Sequence, residues 1–310
     1  MENTRAKTTR NSLILLLTAT IWGMAFVSQS KGMDYMHPFT FNGVRSLIGA
    51  AGILVYILIS RKITGDKAAK LDWKRNVRAG LLCGIFLTIA STLQQFGIKY
   101  TSVGKAGFIT TLYIIFVPMF GIFLKKKVAP VVWAAAGMAA VGMYLLCMTE
   151  SLRLGAGDIM VFLCAIAFAI QIMTVDHYAA RIDGAVVSCI QFTVCGVVCC
   201  IGALIWGQPT FGQIQEGLGA LLYAGVLSCG VGYTLQIVGQ KGLNPTVAAL
   251  IMSLESVIAT ISGWIAYKIG FLSTDQTLTP RQIAGCVIVF AAVILVQLPS
   301  EWFRFGKKNA

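Results

Sequence analysis

Glu255 stands near the middle of a long apolar stretch and is the only acidic side chain placed so deep in one. A charge at bilayer depth costs about 2.5–3.5 kcal/mol on insertion scales, so such a residue faces the protein interior and marks a proton or substrate site. Steps of three and four residues put Ala248, Met252, Glu255, Ala259, Ser262 and Ala266 on one mostly small helical face. Glu255 is therefore a candidate substrate contact, or a proton site that couples proton release to substrate binding. The ordinary alternative is a structural hydrogen bond to a neighbouring helix or to Arg45.

Other residue types complete a set able to bind a small organic molecule. Tyr113 offers an aromatic body and a hydroxyl, which suits a ligand of mixed polarity. It shares a face with Ala106, Thr110 and Val117, and Pro118 can kink the helix just beyond. Arg45 lies in the outer part of its stretch, from which it either snorkels to the outer interface or turns inward to a carboxylate ligand or to Glu255. Gln94, Gln95, Gln171, Gln191 and Gln236 carry donors and acceptors to membrane depth, as ligand contacts or as glue between helices. Trp22 sits away from the interfacial positions tryptophan favours and is read as a wall of a binding cavity.

The same inventory excludes other chemistry. His37 and His177 are the only histidines, and neither forms a helical pair with a carboxylate at metal-ligand spacing. The nine cysteines fall in or at the ends of apolar stretches with no Cys-x-x-Cys pair, a pattern of packing and not of disulfides or zinc. Gly104-Lys105 is followed by Ala106, and Lys99 stands where a phosphate-binding loop needs glycine. No poised nucleophile or acid–base pair of a hydrolase or transferase emerges. We expect no catalytic residues, no metal and no cofactor.

Ten apolar segments carry these side chains: Asn11 to Ser30, Pro38 to Ser60, Arg78 to Ile98, Val103 to Leu124, Pro130 to Met148, Ala156 to Val175, Gly184 to Trp206, Gly217 to Gly239, Asn244 to Tyr267 and Pro280 to Gln297. Each approaches the roughly 20 residues needed to cross a bilayer core. The 310 residues are 57% hydrophobic and 12% charged, against about 25% charged in soluble domains, and mean hydropathy is +0.77. The chain is expected to be an all-α membrane protein with only short connections. A basic start before Leu13 to Ala19 resembles a signal peptide, but the apolar run continues through Trp22 to Val27 and is read as a retained first helix.

The net charge of +13 could suit nucleic acid, but its placement points to a membrane. Counted from a cytoplasmic N-terminus, inner faces hold 18 of the 25 Lys and Arg, including Arg61, Lys62, Lys67 and Lys70 after the second segment and Lys125 to Lys127 after the fourth. That asymmetry expects both termini in the cytoplasm, a cell (inner) membrane location, and anionic lipid as the partner of the basic loops.

Two stretches match at an offset of 142 positions: Gln94 falls on Gln236, Gly97 on Gly239, Lys99 on Lys241, Ala106 on Ala248, Leu112 on Leu254, Gly121 on Gly263, and Tyr113 on Glu255. At 146, Trp22 falls on Phe168 and Arg45 on Gln191; at 150, Pro130 falls on Pro280. A half of five helices is odd-numbered, so its second copy enters the membrane in the opposite sense. Inverted repeats of this kind are a recurring build of secondary transporters, with the site where the halves meet. The halves are expected to be residues 1–150 and 151–310.

Ile21-Trp22-Gly23, Arg45, Leu93-Gln94-Gln95-Phe96-Gly97, Gly104 to Phe108, Gly157-Asp158, and above all Asn244 to Leu250 leading to Leu254-Glu255-Ser256 are similar to the ten-helix drug/metabolite transporter superfamily, EamA branch. The resemblance covers essentially the whole chain. It implies a five-plus-five inverted-repeat fold and export or exchange of small metabolites through a central cavity. The chain departs from the Gly-Glu pair that often ends the family's fourth and ninth helices, having Leu124-Lys125 and Tyr267-Lys268 there. The expectation is a gradient-driven exporter or exchanger of a small organic metabolite or drug-like compound, a monomer or a homodimer, that works by alternating access. A membrane enzyme acting on a lipid would instead bring a carboxylate or histidine pair to lipid-accessible depth, and a channel would show an uninterrupted polar pore.

Overall fold

Prolines and short polar side chains set where the apolar segments enter helix. Pro38, Pro130, Pro245 and Pro280 each open one, at the position where a missing N–H is no loss. Asp183 accepts hydrogen bonds from the amides of Ala185 and Val186, and Asn244 accepts from that of Thr246 at 2.9 Å, each satisfying helix-end donors. The computed structural model describes residues 2–64, 72–100, 103–124, 130–147, 155–272 and 277–297. Lys67, Lys70 and Lys125 to Lys127 lie outside the described residues.

The elements, in order, are α1 (Glu2–Gly32), α2 (Pro38–Thr64), α3 (Trp73–Tyr100), α4 (Val103–Thr111), α5 (Tyr113–Phe123), α6 (Pro130–Cys147), α7 (Ala156–Ala179), α8 (Gly184–Gly202), π1 (Ala203–Gly207), α9 (Phe211–Glu216), α10 (Leu218–Leu222), π2 (Tyr223–Gly232), α11 (Tyr233–Gly239), α12 (Pro245–Met252), α13 (Leu254–Lys268) and α14 (Pro280–Gln297). No strand occurs among the described residues. Among the described residues seven helices are long and apolar enough to cross a membrane, and Ile109–Phe123, Pro130–Leu145 and Pro280–Leu295 are shorter apolar ones. The chain is a multi-pass membrane protein.

Four expected segments are not the uniform α-helices that their apolar runs suggest, the seventh ending in π1. The fourth breaks at Leu112 into α4 and α5, and the ninth at Ser253 into α12 and α13. The reason is local: bonds tighten to three-residue spacing, Ile115 N to Leu112 O at 2.9 Å and Ser256 N to Ser253 O at 3.1 Å. Hydroxyls take up carbonyls around the second break, Ser253 Oγ donating to Leu250 O at 2.7 Å and Ser256 Oγ to Ser253 O at 2.8 Å. The eighth widens into π2, which packs on α1 and α2. Gly242, in the turn between α11 and α12, has φ of 77°, which a side chain would strain.

The helix pairs follow the sequence repeat. The second and seventh segments pack together as α2 and α8, and the fifth and tenth as α6 and α14. The third and sixth pack as α3 and α7, and their offset partners, the eighth and first, as α11 with π2 and α1. Gly97 and Gly239 occupy equivalent crossings: a Cβ on Gly97 would lie 3.0 Å from the Gly157 carbonyl, and one on Gly239 3.2 Å from that of Asn11. At one end of the bundle Asn11 Nδ2 donates to Lys241 O at 2.7 Å, Lys241 Nζ to Ile182 O, and Asp183 N to Asn76 Oδ1. At the other, Phe39 stacks on His37 and Trp206 and meets Phe96 edge to face.

Candidate functional site

Both helix breaks lie beside the residues that matter most. Tyr113 is the first residue of α5, directly after Leu112, and Glu255 the second of α13, directly after Leu254. The half-helices cross-pack, α5 on α12 and α4 on α13, and Tyr113 Oη donates to Glu255 Oε1 at 3.1 Å. Both side chains are buried. Among the described residues no ion pair reaches Glu255, so Tyr113 is the hydrogen-bond donor that the structure gives this carboxylate.

A cavity opens beside this pair, and the sequence repeat lines it. Its walls include four offset pairs: Trp22 with Phe168, Phe26 with Ile172, Gln94 with Gln236, and Tyr113 with Glu255. Gln29, Thr110, Gln171, Ser228 and Tyr233 complete the lining. Trp22 packs on Tyr233 at 4.5 Å between ring centroids, and its indole N–H points to Ser228 O at 3.4 Å, a carbonyl of π2. Gln171 and Gln236 exchange amide hydrogen bonds at 3.2 and 3.5 Å, and Gln94 Nε2 donates to Thr110 Oγ1 at 3.2 Å. The cavity volume is about 30 Å³, room for roughly two waters. An organic molecule enters only if the helices part.

Six of the nine expected residues thus meet at one cavity: Trp22, Gln94, Tyr113, Gln171, Gln236 and Glu255. Gln95, Gln191 and Arg45 lie outside its lining. Gln95 Nε2 donates to Gln29 O at 3.3 Å, while both amide atoms of Gln191 are buried without a partner. Arg45 makes no ion pair with Glu255; it is 6% exposed and lies over the Phe41 ring at 5.3 Å. Phe41 and the close crossings of α2 with α8 and π2 hold it inside the bundle. Among the described residues no cluster of His, Cys, Asp or Glu is fit to hold a metal.

The arrangement is a polar, hydrogen-bonding chamber with aromatic walls. A profile of the EamA-like transporter family matches residues 10–148 and again residues 155–298. The chain belongs to this family. An uncharacterized transporter of Archaeoglobus fulgidus is 27% identical over 92% of this chain and 84% of its own length. An uncharacterized transporter of Clostridium kluyveri is 22% identical, covering 91% of each chain. The uncharacterized transporter YwfM of Bacillus subtilis is 24% identical over 92% of this chain and 93% of its own length. A solved crystal structure shares the fold, with a TM-score of 0.74 at 16% identity, covering 96% of this chain and 99% of that one. Family and relatives are transporters, not enzymes.

In this EamA-like chain the sequence passed over Phe26, Gln29, Ile172, Ser228 and Tyr233. Helical spacing held the signal for three of them. Phe26 and Gln29 follow Trp22 by four and seven residues, and Ile172 follows Phe168 by four, so they share faces with residues already singled out. Ser228 lies in π2, where that spacing fails.

Proposed function

We propose that the chain is a secondary transporter that moves a small organic metabolite or drug-like compound by alternating access. Its halves, residues 1–150 and 151–310, form two inverted repeats of five spans with both termini in the cytoplasm of a cell (inner) membrane. Anionic lipid meets the basic cytoplasmic face. The two halves rock about the central cavity, which binds substrate when it widens and closes to the small volume described above. Glu255 changes its protonation state as substrate enters or leaves, and a proton or substrate gradient drives export or exchange.

The observation that carries this reading is the lining of one cavity by four offset pairs, with a lone carboxylate in the least alike of them. A symmetric backbone plan provides two states of equal design, and the mismatched pair provides chemistry. A channel would need a continuous polar path, and the small size of the cavity favours transport. The test is a metabolite thermal-shift screen on the purified protein, followed by counterflow of each hit in proteoliposomes. Counterflow that Glu255→Gln leaves with wild-type rate and pH dependence overturns the role given to Glu255. Absence of saturable counterflow for every hit overturns the transporter reading.

A further inference from the structure

The two ends of the bundle are built on one plan and filled differently. Where the Asn11–Lys241 and Asp183–Asn76 bonds hold the helices together, Ala79, Cys83, Val175, Ile182, Val187 and Ile237 form one buried apolar cluster. At the offsets of the repeat, 146 and 142, Ile182 falls on Met36, Val187 on Phe41 and Ala79 on Leu221. These three counterparts pack together at the α1–α2 end. Two members break the match: Val175 falls on Gln29, and Ile237 on Gln95.

The exchange places amides beside the central cavity. Gln29 lines that cavity, whereas Val175 does not. Gln95 Nε2 donates to Gln29 O at 3.3 Å, so the two glutamines adjoin across α1 and α3. They are 0% and 4% exposed, and each keeps its side-chain oxygen without a hydrogen-bond partner among the described residues. One turn back along α3, Ser91 O accepts from Asn42 Nδ2 at 2.9 Å, and Ser91 Oγ lies 3.5 Å from Cys195 Sγ. Asn42 Oδ1 is unpartnered as well. At the opposite end Ser188 and Gln240 also keep unpartnered atoms, yet the two positions that match the glutamines are aliphatic and fully buried. A buried carbonyl oxygen without a donor is costly, and three adjoining ones call for an occupant that meets them in another state of the protein.

We propose that Gln29 and Gln95 line the passage by which substrate moves between the central cavity and the α1–α2 end, and that they accept hydrogen bonds from it on the way. The proposal rests on the transporter reading and adds a route to it. Carbonyl oxygens only accept, so the groups they meet in transit are donors: an ammonium, an amide N–H or a hydroxyl, with water between turnovers. The Val175–Ile237 end is the tighter seal, because parting it exposes aliphatic side chains to water.

Cys195, beside Ser91, and Cys83, in the apolar cluster, report on the two ends without any substrate. The full-length chain in detergent, where both ends meet the reagent, is alkylated with iodoacetamide, and each thiol is followed by mass spectrometry of its peptide. Gln29→Val/Gln95→Ile gives the α1–α2 end the side chains of its counterpart. It is expected to slow labelling of Cys195 at least tenfold and to leave Cys83 unchanged. Val175→Gln/Ile237→Gln is expected to speed labelling of Cys83 at least tenfold and to leave Cys195 unchanged. Size-exclusion chromatography checks that the variants fold; where one does not, the other decides, and where neither does, Cys83 labelled as fast as Cys195 in the wild type overturns the proposal. Labelling of either thiol that stays within about twofold of wild type in its own folded variant overturns it too. Because labelling needs no substrate, its failure is separate from a failure of counterflow, which bears on the transporter reading.

Discussion

Tyr113 Oη lies 3.1 Å from Glu255 Oε1, and the two residues are 142 positions apart, the offset that relates the halves of the chain. Partners in the repeat are therefore partners in space. The contact lies where the fourth and ninth segments both break, so the same backbone plan places a phenol on one side and a carboxylate on the other.

Tyr113→Phe removes the donor and leaves the carboxylate buried. We expect a loss of about 1.5–3 kcal/mol in stability, the range for hydrogen bonds to charged groups, read as a lower unfolding temperature in detergent. Glu255→Gln and the double variant complete a cycle, and coupling below about 0.5 kcal/mol would mean that the bond contributes nothing.

Gly23 is where α1 meets the helix of Glu255. A Cβ there would lie 2.6 Å from Ile258 Cβ and 2.7 Å from the Glu255 carbonyl. Gly23→Ala is expected to destabilise by about 1–3 kcal/mol and to displace the carboxylate. Gly52 on α2 has open space around the same position, so Gly52→Ala is expected to be neutral or stabilising by up to about 1 kcal/mol. Equal effects of the two changes would contradict the packing described.

The Gln171–Gln236 exchange predicts a non-additive pair. Gln236→Leu alone strands a buried amide, at about 1–3 kcal/mol, whereas replacing both partners removes the need for either. Unfolding of Gln171→Leu/Gln236→Leu closer to wild type than the sum of the single changes is the expected result.

His37, in the connection between α1 and α2, gives the bundle a pH dependence. Its Nδ1 accepts from Phe39 N at 3.3 Å, and its ring packs on Phe39 and Phe96. Burial, and then the charge of Lys99, hold its pKa below the usual 6.5. The folded chain thus binds this proton less readily than the unfolded one. The stabilising contribution is present above pH 6.5 and is lost as pH falls through that value toward the lower folded pKa. His37→Asn, which keeps an acceptor near Phe39, is expected to lessen the drop in unfolding temperature between pH 7.5 and 5.5. An unchanged drop would place the effect elsewhere.

How far the site was legible differs from residue to residue. Gln94 with Gln236, and Trp22 with Phe168, were matched by offset alone, and all four line the cavity. Arg45 with Gln191 matched equally well, and neither lines it. The repeat fixes equivalent places on equivalent helices; it does not fix how deep a helix sits against its neighbours.

By itself the sequence determined the apolar segments, the uneven distribution of charge among their connections, and the pairs of positions that match at a fixed offset. These depend on local composition and on counting along the chain. Tertiary structure alone decided the breaks at Leu112 and Ser253, the widened π2, the burial of Arg45, and the contact of Tyr113 with Glu255. An apolar run is equally compatible with a straight and a broken helix, and a polar side chain on it is equally able to face lipid headgroups, a neighbour or a cavity. Only the packing of α1, α2, α8 and the broken helices removes all but one of those choices.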